Sequence, residues 1–326
     1  MMNRVWYKHS TLLWPLVPFS WVFCAISALR RCYYQKKSSK ICYPVPIIVV
    51  GNIVVGGSGK TPLIIALVKY LKQQGYEPAV ISRGYGAHPS QFPHRVLPDQ
   101  DPAISGDEPL CIARATGCPV IIDPKRTRAI DDVLKNTSCN VILSDDGLQH
   151  YKMPRDIEIV VIDGQRRLGN GFCLPAGPLR EPASRLKTVD FVVNNGGTLC
   201  PGEQGMSLQP IDFVNIKKPF VSLNWKKLSD QIIHAVAGIG NNNRFFNQLR
   251  ELGCEILEHS FPDHYAYKRE DFDFDDQLAV VMTEKDAVKC KAFAEDNWWY
   301  LPVEAKLEET FLKALLEKLV QRKSHG

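Results

Sequence analysis

A glycine-rich run near the start of the chain combines the residue types that bind phosphate. It reads Gly56-Gly57-Ser58-Gly59-Lys60-Thr61 and follows the apolar segment Ile47-Ile48-Val49-Val50. Glycines let several backbone N–H groups converge on phosphate oxygens, a lysine reaches the outer phosphates, and a threonine hydroxyl is a ligand for Mg²⁺. We therefore expect a nucleoside triphosphate to bind at these positions: Val55, Gly56, Gly57, Ser58, Gly59, Lys60, Thr61 and Pro62.

The run departs from the standard phosphate-loop pattern G-x-x-x-x-G-K-[ST] at its first position, which is Val54. The remainder of the pattern is intact, and the predicted order of strand, loop and helix is the one that phosphate binding requires. The structural alternative is a glycine-rich turn that binds nothing.

A second predicted strand ends in two carboxylates. Asn140-Val141-Ile142-Leu143-Ser144 runs directly into Asp145-Asp146. Carboxylates at the end of a buried strand beside a phosphate loop are typical Mg²⁺ ligands. We expect the metal site to consist of Thr61, Asp145 and Asp146.

Phosphoryl transfer to a hydroxyl also needs a group that accepts the hydroxyl proton. Asp107, in Gly106-Asp107-Glu108-Pro109, and His264, in Phe261-Pro262-Asp263-His264-Tyr265, are candidates. Each also has a structural interpretation, because Asp107 could cap a helix and His264 could be a surface loop histidine.

Positive side chains that could hold phosphates follow other predicted strands. Arg83 follows one strand, and Lys125, Arg126 and Arg128 follow another, whereas Arg180 lies in the proline-rich segment 174–182. Arginine binds phosphate through two parallel hydrogen bonds. The positions after strands favour Arg83 and Arg126 as phosphate clamps.

The elements that position these residues form an α/β pattern. Short apolar, β-branched runs are predicted strands, and several alternate with predicted helices at 63–73 and 127–135. These runs are 47–50, 79–82, 120–122, 141–144, 157–162 and 191–193. We predict a phosphate-loop NTPase-like, mostly parallel sheet with helices on both faces at 41–205, and a smaller C-terminal α/β domain at 206–326. A helix over 307–320 with one apolar face is predicted to pack in a core.

The N-terminal segment, residues 1–40, has the composition of a membrane-associated helix. Residues 11–29 contain no charged side chain, and Arg30, Arg31, Lys36, Lys37 and Lys40 follow. Such a length is close to a bilayer core, although prolines at 15 and 18 disfavour a straight span. A buried core helix is the alternative. If the helix is an anchor, its basic flank predicts the anionic cytoplasmic leaflet.

Composition narrows the possible partners and compartment. The chain has 326 residues, 45% of them hydrophobic, and a net charge of +5 without a long basic tract, so we expect no nucleic acid partner. Its ten cysteines have no zinc-type spacing and predict reduced thiols.

Several further motifs, in order along nearly the whole chain, resemble the tetraacyldisaccharide 4'-kinase family. Besides the phosphate loop, they are Arg83-Gly84-Tyr85-Gly86, Gly106 to Pro109, Ser144 to His150, Pro175 to Pro182, Ala237 to Asn241 and Thr283 to Lys289. The resemblance implies an enzyme of lipid A biosynthesis. Its substrates would be ATP and the 4'-hydroxyl of an acylated glucosamine disaccharide 1-phosphate, and its product lipid IVA.

The resemblance also implies roles for single residues. Asp107 resembles the catalytic carboxylate, with His264 as a partner that orients it or helps to take the proton. Mg²⁺ is the implied cofactor beside ATP. The implied substrate or phosphate clamp consists of Arg83, Arg126, Gln149, His150 and Arg180. The implied partner is a membrane-embedded lipid A precursor at the cytoplasmic face of the bacterial inner membrane, with the enzyme peripheral or N-terminally anchored.

Two other function classes compete with a lipid kinase. A phosphate-loop GTPase or metallochaperone would carry Asn-Lys-x-Asp near a late strand, and Thr283-Glu284-Lys285-Asp286 matches that pattern poorly because its lysine is one place too late. A non-catalytic membrane adaptor would bind nucleotide without transferring phosphate.

Overall fold

The computed structural model describes residues 6–7, 11–38 and 42–323. These residues form two compact units that are discontinuous in sequence. The first unit comprises Met1–Arg83, Cys118–Ser207 and Ala305–Gly326, and the second comprises Gly84–Gly117 and Leu208–Glu304. The predicted domains are contiguous, so they differ from this division at 84–117 and 305–326.

A parallel sheet forms the centre of the first unit, and this confirms the predicted α/β class. Every pair of neighbouring strands below runs parallel. In their order across the sheet the strands are Glu203–Pro210, Phe191–Asn195, Ile157–Asp163, Ile47–Gly51, Val141–Asp145, Pro78–Ser82 and Val120–Ile122.

Both faces of this sheet are covered. Ile47 and Val49 pack in one apolar cluster with residues of the helix Arg126–Asn136. Successive side chains of a strand point to opposite faces, so Ile48 and Val50, which are also fully buried, belong to the other face. Burial on both faces explains why these strands are continuous apolar runs.

The other helices of the first unit flank the sheet or extend from it. The predicted C-terminal helix buries Phe311, Leu315 and Leu319, as its periodicity indicates. The α-helices are Val17–Ser38, Lys60–Gln73, Arg126–Asn136 and Glu309–Lys323, and Thr11–Leu16 and Ala183–Thr188 are 3₁₀-helices.

The N-terminal helix packs against its own unit along one face only. The buried Ser20 hydroxyl donates a hydrogen bond to the Cys173 carbonyl at 2.8 Å, and Phe23 and Cys24 pack on the core. The opposite face exposes large apolar side chains, namely Phe19, Trp21, Val22, Ile26, Leu29 and Tyr33, and Trp14 in the preceding 3₁₀-helix is also exposed. The stretch Leu13–Tyr34 is long and apolar enough to cross a membrane, with a mean hydropathy of 1.4. Lys40, the last residue of the predicted basic flank, lies outside the described residues.

The second unit contains a mixed sheet. In their order across it the strands are Ser222–Leu223, Phe213–Asn215, Trp298–Leu301, Ala279–Thr283, Ile232–Ala237 and Glu255–Ser260. The second strand is antiparallel to both of its neighbours, and the other neighbouring pairs are parallel. Its helices are Pro102–Ser105, Asp107–Thr116, Trp225–Lys227, Asn242–Glu251, Arg269–Phe272 and Glu284–Cys290. Within the described residues, His94–Arg95 and Val303–Leu307 are also strands.

Candidate active site

The phosphate loop joins the central strand Ile47–Gly51 to the helix Lys60–Gln73, as predicted. Gly59 is the N-cap of that helix and has a φ of 96°, a backbone conformation that favours glycine. Lys60 and Thr61 therefore occupy the first turn of the helix. Unpaired backbone N–H groups and the positive end of the helix dipole meet at this point. Both features favour the binding of an anion.

Three side chains hold consecutive carbonyls of the loop. Asn52 Nδ2 donates to the Gly56 carbonyl at 3.0 Å, Arg166 Nη2 to the Gly57 carbonyl, and Asn195 Nδ2 to the Ser58 carbonyl at 2.9 Å. In a trans peptide the C=O and the following N–H point in opposite directions. The N–H groups of Gly57, Ser58 and Gly59 therefore point away from these three side chains. Sequence reasoning missed Arg166 and Asn195, although Asn195 lies two residues beyond the predicted strand 191–193, which is a position that could have suggested it.

The proline-rich segment packs along the start of the loop. The Val55 N–H donates to the Pro178 carbonyl at 2.9 Å, and the Arg180 N–H donates to the Ile53 carbonyl at 2.7 Å. Val54 forms an isolated β-bridge with Leu179 and is buried. An extended residue with a buried side chain suits this position, which gives a physical reason for valine where the standard pattern has glycine.

The two strand-end aspartates lie beside the loop. Asp145 pairs in register with Val50 on the neighbouring central strand, is buried, and accepts a hydrogen bond from Ser82 Oγ at 3.0 Å. Asp146 lies 3.6 Å from Lys60 Nζ and 3.2 Å from Arg180 Nη1. Burial opposes ionisation of Asp146, but Lys60 and Arg180 together hold the pKa of this carboxyl below its ordinary value. The loop lysine, the strand-end acid and Arg180 thus form one cluster.

Arg126 belongs to the same edge of the sheet but is almost completely buried. Its Nη1 donates to the Asp123 carbonyl and its Nη2 to the Asp145 carbonyl, both at 3.0 Å. Burial lowers the pKa of Arg126 to about 10, although Asp145 and Asp146 oppose the shift. The guanidinium ties together the ends of two strands, whereas the predicted clamp residue Arg83 is exposed after its own strand. Phosphate binding by either arginine stays a prediction.

Gln149 and His150 follow the aspartates. Gln149 Nε2 donates to the Asn52 carbonyl at 3.0 Å and to Glu181 Oε1 at 2.8 Å, so it braces the base of the loop against the proline-rich segment. Burial, and then the charges of Arg126, Arg155, Lys152 and Arg30, lower the pKa of His150 to about 4. His150 is therefore a neutral imidazole at neutral pH.

Asp107 and His264 lie together in the second unit. His264 Nδ1 is 3.3 Å from Asp107 Oδ2. Gly106 is the N-cap of the helix Asp107–Thr116, so Asp107 is its first residue rather than its cap. His264 has a φ of 60°, which is uncommon for a residue with a Cβ, and its ring centroid lies 4.9 Å from that of Tyr85. The structure therefore brings together the two residues that the sequence analysis paired.

Two lysines that the sequence analysis did not assign surround this pair. Lys285 Nζ lies 3.2 Å from His264 Nε2, from Glu108 Oε1 and from Asp263 Oδ1. Lys289 Nζ is 3.8 Å from Asp107 Oδ2. Burial lowers the pKa of Lys285, but Glu108, Asp263 and Asp107 outweigh it and raise this pKa above its ordinary value. The predicted pair of Asp107 and His264 is therefore part of a larger network of charged side chains.

The motif Thr283-Glu284-Lys285-Asp286 begins a helix and does not present its acid to a ligand. Thr283 is the N-cap of Glu284–Cys290, and its hydroxyl donates to Asp286 Oδ2 at 2.6 Å. Asp286 is fully buried and also accepts from the Gly238 N–H at 3.0 Å. An aspartate that reads guanine must be available to the base, so this geometry argues against the GTPase alternative.

The residues beside the loop can hold a magnesium ion. Thr61, Asp145 and Asp146 offer hydroxyl and carboxylate oxygens, the hard donors that Mg²⁺ prefers. Within residues 6–7, 11–38 and 42–323, no group of three or more histidine, cysteine, aspartate or glutamate side chains could hold a metal.

A parallel sheet that joins a phosphate loop to a strand-end acid pair defines an α/β protein of the phosphate-loop nucleotide-binding class. A family model described as "LpxK: Tetraacyldisaccharide-1-P 4'-kinase" matches residues 12–321. The chain therefore belongs to the tetraacyldisaccharide-1-phosphate 4'-kinase family.

Individual relatives agree with this assignment. The chain is 49% identical to the tetraacyldisaccharide 4'-kinase of Nitrosococcus oceani over 98% of this chain and 95% of that protein. It is 51% identical to the enzyme of the same name from Legionella pneumophila strain Lens over 96% and 95% of the two chains. The crystal structure of "apo" form LpxK from Aquifex aeolicus in complex with ATP aligns with a TM-score of 0.78 at 29% identity, over 95% of this chain and 100% of that chain.

Proposed function

We propose that this chain transfers the γ-phosphate of ATP to the 4'-hydroxyl of a tetraacyl glucosamine disaccharide 1-phosphate, the step of lipid A biosynthesis that gives lipid IVA. The observation that carries the proposal is the pairing of Asp107 with His264 in a member of this kinase family. A protein that only binds nucleotide has no need for a carboxylate held by an imidazole. Asp286 is fully buried and its Oδ2 accepts hydrogen bonds from the Gly238 N–H and the Thr283 hydroxyl, which weighs against guanine as the base.

In the proposed reaction the nucleotide lies on the phosphate loop. The N–H groups of the loop and Lys60 bind its phosphates, and the helix dipole of Lys60–Gln73 adds positive potential. Thr61, Asp145 and Asp146 would hold Mg²⁺, which when bound would neutralise charge on the phosphates. Arg180 would act as a clamp on the same phosphates, which its distance of 3.2 Å from Asp146 supports.

Asp107 accepts the proton of the acceptor hydroxyl. As that proton leaves, the oxygen forms its bond to the γ-phosphorus, and the bond from this phosphorus to the β–γ bridging oxygen breaks. ADP departs with the electron pair of the broken bond. Lys289 Nζ lies 3.8 Å from Asp107 Oδ2, so a positive charge faces this carboxylate.

The exposed apolar face of Val17–Ser38 is the proposed contact with the membrane. Its other face packs on the first unit from Ser20 to Tyr34, whose ring lies 5.2 Å from Lys152 Nζ. A helix packed lengthwise on a folded unit suits an interfacial position better than a span across the bilayer. Arg30, Arg31 and Lys36 follow the apolar part, which favours the anionic cytoplasmic leaflet of the inner membrane.

Two variants of the full chain test the proposed chemistry. Asp107→Asn keeps the side-chain shape but removes the base, so kcat falls by a factor of about 100 to 10,000 while the equilibrium affinity for Mg-ATP is retained. Lys60→Ala lowers both kcat and the affinity for Mg-ATP. Asp273→Asn, at an exposed acid paired with Arg269 at 3.2 Å, is the matched control and retains full activity. An Asp107→Asn enzyme with wild-type turnover contradicts the proposal.

A further inference from the structure

We propose that Lys285 is a positioning residue that fixes the tautomer of His264, so that the imidazole orients Asp107 and does not itself take the acceptor proton. This inference rests on the proposed function of Asp107. Lys285 belongs to the segment Thr283-Glu284-Lys285-Asp286, which resembles a guanine-binding motif only poorly.

The hydrogen-bonding chemistry of lysine leaves one arrangement for the imidazole. An ammonium group carries only donors, and Lys285 Nζ lies 3.2 Å from His264 Nε2. Nε2 must therefore accept, which makes the ring neutral with its proton on Nδ1. That Nδ1–H faces Asp107 Oδ2 at 3.3 Å and donates to it.

The surroundings of the imidazole support this assignment. Asp263 Oδ1 is the other charged group near Nε2, but at 3.9 Å it is beyond hydrogen-bonding distance. Tyr85 contributes only its ring, at 4.9 Å between centroids. A protonated imidazole would place an N–H against the ammonium of Lys285, which is unfavourable for both charge and hydrogen bonding.

Lys285 is itself held in place. Glu108 and Asp263 each lie 3.2 Å from Nζ, and the lysine side chain is mostly buried. These carboxylates keep the ammonium charged, which agrees with the raised pKa of Lys285. Because Thr283 and Asp286 anchor the first turn of the helix, the stem of Lys285 starts from a fixed backbone.

The tautomer decides between two roles for His264. With Nδ1 donating to Asp107, the ring has no lone pair directed at that carboxylate and is unable to receive the proton that Asp107 takes up. It can hold the carboxylate in one orientation. Asp107 is then the only proton acceptor of the pair. Lys289 Nζ lies 3.8 Å from Asp107 Oδ2.

The first experiment determines the tautomer of His264 by NMR, independently of any activity measurement. The full chain is labelled with ¹⁵N-histidine, and His264 is assigned by comparison with His264→Gln. We expect the wild type to show a protonated Nδ1 and an unprotonated Nε2, and Lys285→Met to show a mixture of tautomers or a charged ring at neutral pH. A wild-type ring protonated at Nε2 overturns the inference, even if the lipid kinase activity is demonstrated.

The second experiment measures catalysis. Lys285→Met is expected to lower kcat about 10- to 100-fold with the KM for ATP changed less than about twofold, and to move the acidic limb of the pH profile to higher pH. Lys285→Arg keeps the charge and donors and should recover part of kcat, and it replaces Lys285→Met if that variant does not fold. Lys291→Met, at an exposed lysine just after the same helix, is the control. Unchanged kcat and pH profile in Lys285→Met overturn the inference, whereas absence of lipid phosphorylation in the wild type contradicts the proposed function alone.

Discussion

Removal of the Asn195 side-chain amide should weaken nucleotide binding more than it weakens the fold. Asn195 Nδ2 donates to the Ser58 carbonyl at 2.9 Å, and both residues are buried. This bond sets the peptide plane between Ser58 and Gly59, and with it the direction of the Gly59 N–H toward the phosphate site. A Cβ on Gly59 would collide with Asn195 Nδ2, so the loop and the amide fit only because residue 59 is glycine. Asn195→Ala removes the donor and leaves the carbonyl unsatisfied.

The magnitude follows from that unsatisfied carbonyl. A buried acceptor without its donor costs about 1–3 kcal/mol. If the loop turns the carbonyl elsewhere to recover a partner, the Gly59 N–H leaves the phosphate site by the same rotation, and the cost is transferred to binding. We therefore expect the Kd for Mg-ATP to rise roughly five- to hundredfold.

The assay is calorimetric titration of Mg-ATP into the full chain, with thermal unfolding of the same samples. Asn194→Ala is the matched control, because Asn194 is equally buried on the same strand but its Nδ2 donates to Glu203 Oε2 and the Thr198 carbonyl instead. Both variants should lose similar stability. If Asn195→Ala binds Mg-ATP as tightly as Asn194→Ala does, the argument from the peptide plane is wrong.

Two further predictions concern pH and the membrane. Because the pKa of His150 falls from 6.5 to about 4 on folding, the unfolded chain binds this proton more readily, and stability should decline as pH falls from about 6.5 towards 4. After allowance for the partial exposure of the ring, the decline is about 1–2 kcal/mol. Urea unfolding should show a flatter pH dependence in His150→Gln than in the wild type, and equal slopes would refute this. Phe19→Ser with Trp21→Ser should lower binding to anionic vesicles about tenfold or more, whereas Phe220→Ser, at an exposed aromatic of the second unit, should not, and equal losses would contradict the membrane contact.

The central strands and the phosphate loop could be predicted because each is a local pattern. A strand buried on both faces must be a continuous apolar run, as at 47–50 and 141–144, and the loop needs its glycines, lysine and threonine within a few residues. The edge strand Glu255–Ser260 has no such signal, because most of its side chains are exposed. Residues 84–117 also join a distant part of the chain, and no local pattern marks that pairing.

The acidic and basic residues of the site were predicted more completely than the side chains that support them. Asp107 and His264 could be paired through the family resemblance, and they lie together as expected. Asn195 lies 137 positions from Ser58, and Lys285 lies 177 positions from Glu108, so neither contact leaves a trace in local spacing. Such roles depend on tertiary contacts, which periodicity and motif spacing do not encode.

The most direct test of the proposed function is the position to which the γ-phosphate of ATP is transferred. Purified full chain in detergent is incubated with Mg-ATP labelled at the γ-phosphate and a tetraacyl disaccharide 1-phosphate, and NMR assigns the position of the new phosphate. We predict labelled lipid with the second phosphate on the 4'-hydroxyl, no comparable product from GTP, and loss of labelling in Asp107→Asn. Nucleotide hydrolysis or binding without labelled lipid, or transfer to another hydroxyl, would contradict it.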